Sequence, residues 1–319
     1  MKEKKVTGII VKILIFILSL TVLFFLLHHI GFDKVSESFA KVGIYGASVL
    51  ILLGLVESTL DAVALTFATP ERLSFVRSFS STGFGSLLNL VVPFEGGEVV
   101  KVGLVGKEIG VSSAIRGIVL WNYTFNLTKA SSLVAVLIIS LFIGRDYSMD
   151  NFLIVFAAAI LGFIPFFGMM ILIRSNISVK LVKLLKFMGK KNSDDLLRKA
   201  EDLDRSLKQF KKERPGDYRA MFFIQFFARF ISWITFPICA YFAGFDYSLS
   251  TLSLAYCAVT LSGYVVSLIP AKVGVAEGAG FLMFSFLGLD GGAGLLITFI
   301  MRIKAAIVMG IASLFTVAK

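Results

Sequence analysis

The chain has 319 residues, of which 57% are hydrophobic and 17% charged, and a formal net charge of +11. The charged fraction is far below the roughly 25% of soluble domains, and several windows exceed the roughly 18 apolar residues that mark a membrane span. These figures exclude a soluble enzyme, and the cations flank the apolar windows, so the positive excess follows the positive-inside pattern rather than marking nucleic acid as a partner.

In chain order, six windows read as full spans: Gly8–Ile30, Val42–Ala68, Gly117–Ile143, Phe152–Ile173, Ala220–Ala243 and Gly294–Val317. Gly8–Ile30 is too long for a signal core and is followed by no small-residue cleavage site, so it is expected to remain as a span. Two weaker regions, Ser74–Gly110 and Leu249–Leu289, each hold two short apolar pieces split by a proline, Pro93 or Pro270. The N-terminus carries Lys2, Lys4, Lys5 and Lys12, and Arg174–Arg219 has 14 Lys and Arg against 7 Asp and Glu. Both are expected on the cytoplasmic side. Counting spans between them makes Ser74–Gly110 begin and end inside. With Lys319 also inside, Leu249–Leu289 begins and ends outside.

This pattern predicts an all-α polytopic membrane protein with an inverted-topology repeat. Residues 1–150 form the first copy with a re-entrant hairpin at 74–110. Residues 151–319 form the second, with a basic cytoplasmic loop at 174–219 and a hairpin at 249–289. Two ordinary spans in place of each hairpin would also return the chain to its starting side. Pieces such as Glu98–Lys107 are too short and polar for the roughly 20 apolar residues of a span, which favours hairpins. In the basic loop, Leu196, Ala200, Leu203, Leu207 and Phe210 share one helical face, expected either on the protein's own cytoplasmic end or on the anionic leaflet.

Ionisable residues inside spans are functional-site hypotheses. Glu57 and Asp61, four residues apart, share a helical face, and two like charges there suit one of them to carry a proton. An ion pair of either with Arg229 is the alternative use. Asn122, Asn126 and Lys129 form a polar stripe on the third span, and Thr298 and Arg302 form one on the last. Lys304 lies on a different face from Arg302 and is read as supporting a helix end or a neighbour. Together Lys101, Lys129, Arg229, Lys272 and Arg302 are expected to form a basic cavity between the repeats. The breaks at Pro93, Gly96 and Gly97 and at Pro270, Gly274 and Gly278 expose backbone donors there. Glu98 and Glu277 either orient the cations or satisfy the helix starts that follow the breaks. Cys239 and Cys257 lie in apolar spans, which argues against a structural disulfide. The only histidines, His28 and His29, end the first span, so no histidine-ligated metal site is expected. Gly83-Phe84-Gly85 lacks the context of a dinucleotide loop, and a P-loop is absent. No cofactor and no ATP-driven pump are expected.

Pro93-Phe94-Glu95-Gly96-Gly97-Glu98-Val99-Val100-Lys101 resembles the first signature of the lysylphosphatidylglycerol synthase transmembrane family, a proline followed by a Gly-Glu pair and a basic residue. Ile269 to Gly278 resembles the second, and Arg302 matches an arginine typical of the last span. The resemblance spans essentially the whole chain. It implies a lipid-flippase fold with re-entrant elements. One departure is Trp121-Asn122-Tyr123, where the family often has an acidic–arginine pair. The chain also leaves no room for an aminoacyltransferase domain, so synthesis of aminoacylated lipid is not expected.

The expectation is a transporter, not an enzyme. It would pass a phospholipid or glycolipid headgroup across the cell (cytoplasmic) membrane without ATP, with both termini cytoplasmic. The membrane lipid is the partner; a homodimer is left open. Substrate contacts are expected from Glu95, Glu98, Lys101, Asn122, Asn126, Lys129, Lys272, Glu277 and Arg302, and coupling or ion pairing from Glu57, Asp61 and Arg229. A membrane transferase acting on a polyprenyl-phosphate or other lipid, and a small-solute or ion transporter, remain as alternatives.

Overall fold

The computed structural model describes residues 31–69, 73–89, 96–143, 208–265 and 274–316, with Phe24, His28, Arg198, Glu201, Asp202 and Arg205. Among these residues all regular structure is helical. The main helices are α1 (Phe32–Ala68), α2 (Phe75–Asn89), α3 (Gly96–Ile109), α4 (Val111–Ile143), α5 (Pro215–Phe242), α6 (Leu249–Val265), α7 (Val275–Phe286) and α8 (Gly291–Leu314). Four are long and apolar enough to cross a membrane: α1, α4, α5 and α8. They contain the expected spans Val42–Ala68 and Gly117–Ile143 and nearly all of Ala220–Ala243 and Gly294–Val317. The spans expected at 8–30 and 152–173 lie outside the described residues apart from Phe24 and His28. So do Pro93, Glu95, Pro270 and Lys272 and most of the basic loop.

Local chemistry sets the helix ends. Pro215 begins α5, where its missing N–H costs nothing. The Asp290 carboxylate accepts from Gly292 N at 2.8 Å and caps α8. Gly274 precedes α7 in the left-handed region (φ 78°), which glycine enters without steric cost. Its N–H donates to Glu277 Oε2 at 3.0 Å. Glu277 therefore fixes the chain as it leaves the second break.

Each weak region forms a pair of short helices lying antiparallel. At one end of the first pair, Ser74 N and Oγ donate to Glu108 at 2.7 and 3.0 Å. Further along, Gly85 and Gly97 bring the backbones of α2 and α3 so close that a Cβ on Gly97 would collide with the Gly85 carbonyl. In the second pair, Tyr247 just before α6 stacks edge-on against Phe284 near the end of α7, with ring centroids 5.3 Å apart. At 15 and 14 residues, α2 and α3 are about 21 to 23 Å long, against the roughly 30 Å of a hydrocarbon core.

The packing has a regular plan. The longest contact runs between α1 and α5. Helix α2 packs on α8, and α6 packs on α4; α3 packs on α4, and α7 packs on α8. Two apolar cores sit along the long helices. One includes Leu50, Leu133, Leu137, Trp233, Phe236 and Phe284. The other includes Leu65, Val105, Ile118, Leu120, Trp121 and Met221, with Phe210 and Tyr218 packed against it. Phe210 is the described member of the loop's amphipathic face, and it rests on the protein itself. Between the two cores α1, α4 and α5 carry polar side chains: Glu57, Ser58 and Asp61, Asn122 and Asn126, and Gln225 and Arg229. This polar layer is where the functional site lies.

Candidate functional site

A cavity of about 360 Å³ opens in the polar layer. Its wall comes from α1 (Glu57, Ser58, Asp61), α2 (Thr82, Ser86, Asn89), α3 (Glu98, Lys101), α4 (Trp121, Asn122, Phe125, Asn126), α5 (Arg229) and α8 (Lys304). The close approach of α2 and α3 places the start of α3 against this space.

On one side is the first broken segment. Lys101 is 1% exposed, and its Nζ donates to both Glu98 oxygens, at 2.8 and 3.1 Å. The same ammonium lies over the Trp121 ring, 4.4 Å from its centroid, a favourable cation–π position. Asn122 Nδ2 donates to Glu98 Oε2 at 2.8 Å, and Gly97 N donates to Asn89 Oδ1 at 2.8 Å. Glu98 thus ties α3 to α4, and its own helix start is served by Asn89.

Across the cavity, Arg229 pairs with Asp61 through Nη2 and with Glu57 through Nη1 at 3.6 Å. Its guanidinium covers the Phe125 ring at 4.4 Å. Lys304 Nζ lies 3.6 Å from the other Glu57 oxygen. Glu57 thereby bridges α5 and α8 from α1. Backbone contacts hold this group in place: Trp121 Nε1 donates to the Asp61 carbonyl at 2.9 Å, and Gln225 Nε2 donates to the Trp121 carbonyl at 3.3 Å. Arg229 Nε and Asp61 Oδ1 have no hydrogen-bond partner among the described residues.

Among the described residues the cavity's charges balance, in place of the positive excess expected of them. Three carboxylates, Glu57, Asp61 and Glu98, face three cations, Lys101, Arg229 and Lys304. The reason is energetic: a cation buried among apolar helices is expensive unless a carboxylate is beside it. Of the five cations expected there, Lys101 and Arg229 line the space, Lys129 and Arg302 do not, and Lys272 is outside the described residues. The ion-pair alternative for Arg229 is what the structure shows, with both carboxylates at once.

Glu277 and Arg302 form a separate site. Glu277 is 0% exposed, and Arg302 Nε lies 2.5 Å from its Oε1. Arg302 Nη2 also donates to Oε2 at 3.1 Å. Two uses foreseen as alternatives coincide in Glu277, which both orients a cation and satisfies the helix start. Each glutamate meets a side chain of the long helix that follows it. Glu98 meets Asn122, 24 residues on, and Glu277 meets Arg302, 25 residues on. Asn122 stands where the second half has arginine, and Lys101 supplies the cation instead.

Sequence reasoning missed Lys304, Ser58 and the α2 stripe. A lone lysine on an otherwise apolar face of the last span was the available signal for Lys304. The spacing of Thr82, Ser86 and Asn89, four then three residues apart, was the signal for α2. Both cysteines are buried free thiols.

Comparison with known proteins gives one finding. The family model described as the lysylphosphatidylglycerol synthase TM region matches residues 9–313. No match was found among curated proteins or solved structures.

Proposed function

We propose, from the premise that the chain belongs to the lysylphosphatidylglycerol synthase transmembrane-region family, that it is a lipid flippase. In this reading a lipid headgroup crosses the bilayer through the polar cavity while the acyl tails stay in lipid. The observation that carries it is the cavity of about 360 Å³, whose six ionisable groups lie among apolar, membrane-length helices. Burying ions costs several kcal/mol each. Charged groups kept at that depth mark substrate and ion pathways.

The packing plan supports an inverted-topology repeat. Each half runs long helix, two short helices, long helix; the first short helix of each pair rests on the last long helix of the other half, and the second on the last long helix of its own. Under this proposal the pairs α2/α3 and α6/α7 are re-entrant, entering from opposite faces, with both termini cytoplasmic in the cell membrane. Broken helices at matched places in two repeats are where secondary transporters build their sites. Transport would run without ATP, on the lipid gradient, the membrane potential or a proton carried by Glu57 or Asp61.

The test is translocation of fluorescent lipid in proteoliposomes. Glu98→Ala and Arg302→Ala proteins should insert and fold but lose most protein-dependent translocation. Wild-type rates in both would remove the proposed role of the broken segments.

A further inference from the structure

We infer that the headgroup this cavity takes is uncharged and hydroxyl-bearing, of the sugar or polyol class. The inference rests on the flippase reading and narrows its substrate.

The charge pairing comes first. Among the described residues every cation in the wall has a carboxylate: Lys101 has Glu98, Lys304 has Glu57, and Arg229 has Asp61 and Glu57. A phosphate entering here would find no cation without a competitor. It would sit among three carboxylates whose repulsion cancels the attraction of the bases. A free ammonium meets the mirror of this problem, since each carboxylate is held by a base.

Arg229 Nε and Asp61 Oδ1, without partners among the described residues, are shut off from solvent, and the capacity that is partly exposed is neutral. Asn122 and Asn126 each give one amide N–H, to Glu98 and to the Asn122 carbonyl respectively, and keep a second. Their side-chain oxygens accept no hydrogen bond among the described residues, and the hydroxyls of Ser58 and Ser86 have no partner there. All four residues line the space and are partly exposed to it. Amide oxygens that need donors and hydroxyls that give or take a proton match an alcohol, which offers one O–H and two lone pairs. The volume, about 360 Å³, equals roughly a dozen waters at about 30 Å³ each. One sugar ring and its hydroxyls would replace those waters with hydrogen bonds of the same kind.

The experiment uses the full chain in proteoliposomes that contain, in separate samples, fluorescent monoglucosyl-diacylglycerol, phosphatidylglycerol or phosphatidylethanolamine. Native mass spectrometry of the same protein with the three lipids in equal amounts measures retention. The glucolipid should be moved and retained in preference to the other two. Ser86→Ala and Asn126→Leu should each slow it by about tenfold, the worth of roughly one hydrogen bond to a buried acceptor. Glu57→Gln leaves three cations against two carboxylates and should raise transport of phosphatidylglycerol relative to the glucolipid by about tenfold. Preference for phosphatidylglycerol or phosphatidylethanolamine, or equal handling of all three, overturns the headgroup inference and leaves the flippase reading standing. Selective retention of the glucolipid with no translocation of any lipid upholds the inference and removes the flippase. Neither retention nor translocation of any of the three lipids overturns both.

Discussion

Replacing Arg229 by methionine removes the one cation that two helices' worth of packing holds against both Glu57 and Asp61. The side chain is 8% exposed and stacked on Phe125. At 3.6 Å from Glu57, its gross attraction to that carboxylate alone is about 4 to 5 kcal/mol at an effective dielectric of about 20. Most of that is offset by desolvation of the pair. Truncation nonetheless strands Asp61, and such losses cost about 3 to 5 kcal/mol. Lys304 remains beside Glu57 and limits the damage there, so Arg229→Met should destabilise the protein by about 3 kcal/mol, the lower end of that range. A second substitution, Asp61→Leu, removes the stranded charge, and the pair Arg229→Met with Asp61→Leu should recover more than half of the loss. The measurement is a double-mutant cycle in detergent, read from denaturant or thermal unfolding. A loss below about 1 kcal/mol for Arg229→Met, the size of an exposed pair, would refute the buried-pair reasoning. Additive losses would do the same.

Other expectations follow from single contacts. Gly97→Val drives a side chain into the Gly85 carbonyl; it should cost at least the roughly 1 to 3 kcal/mol of overpacking, and folded yield should fall. Gly103→Ala, on the same helix with nothing within 4 Å of the new methyl, should raise unfolding stability by about 0.5 to 1 kcal/mol through helix propensity. Glu277→Leu removes the carboxylate that meets Arg302 Nε and Nη2 and the acceptor of Gly274 N; a drop of about 3 kcal/mol is expected, with Arg302→Met restoring part of it. The buried thiols Cys239 and Cys257 should resist a membrane-permeable maleimide in the folded protein and react together once it is denatured. Rapid labelling of either thiol in the native protein would contradict the packing of α5 and α6.

Much of this architecture is written in the sequence because membrane solvation leaves few choices. The long helices α1, α4, α5 and α8 are legible as apolar runs. The short pairs are legible as runs too brief to span. Periodicity also placed Glu57 with Asp61, and Asn122 with Asn126, on common faces. It could not say which helices meet. Whether Arg229 met Glu57, Asp61 or neither depended on the contact between α1 and α5, 168 residues apart in sequence at Asp61. The same ignorance put Arg302 in the cavity and Lys304 outside it. Two residues along a helix is nearly a half-turn, so once α8 turns Lys304 toward α1, Arg302 must face α7. The expected excess of positive charge is absent among the described residues for a related reason. Cations were counted by type, whereas a buried site is set by who pairs with whom.

The central claim is that a lipid headgroup occupies the polar layer between the two apolar cores. Photo-crosslinking tests it most directly. Glucosyl-diacylglycerol and phosphatidylglycerol, each with a diazirine on the headgroup, would be irradiated with the protein in bilayers, and the adducts mapped by mass spectrometry. At least one of them should label peptides holding Thr82 to Asn89, Trp121 to Asn126 or Lys304 to Met309, and Glu98→Ala should suppress that labelling. Adducts confined to exposed outer residues such as Leu52, Ile138 or Phe227, unchanged by Glu98→Ala, would contradict the account.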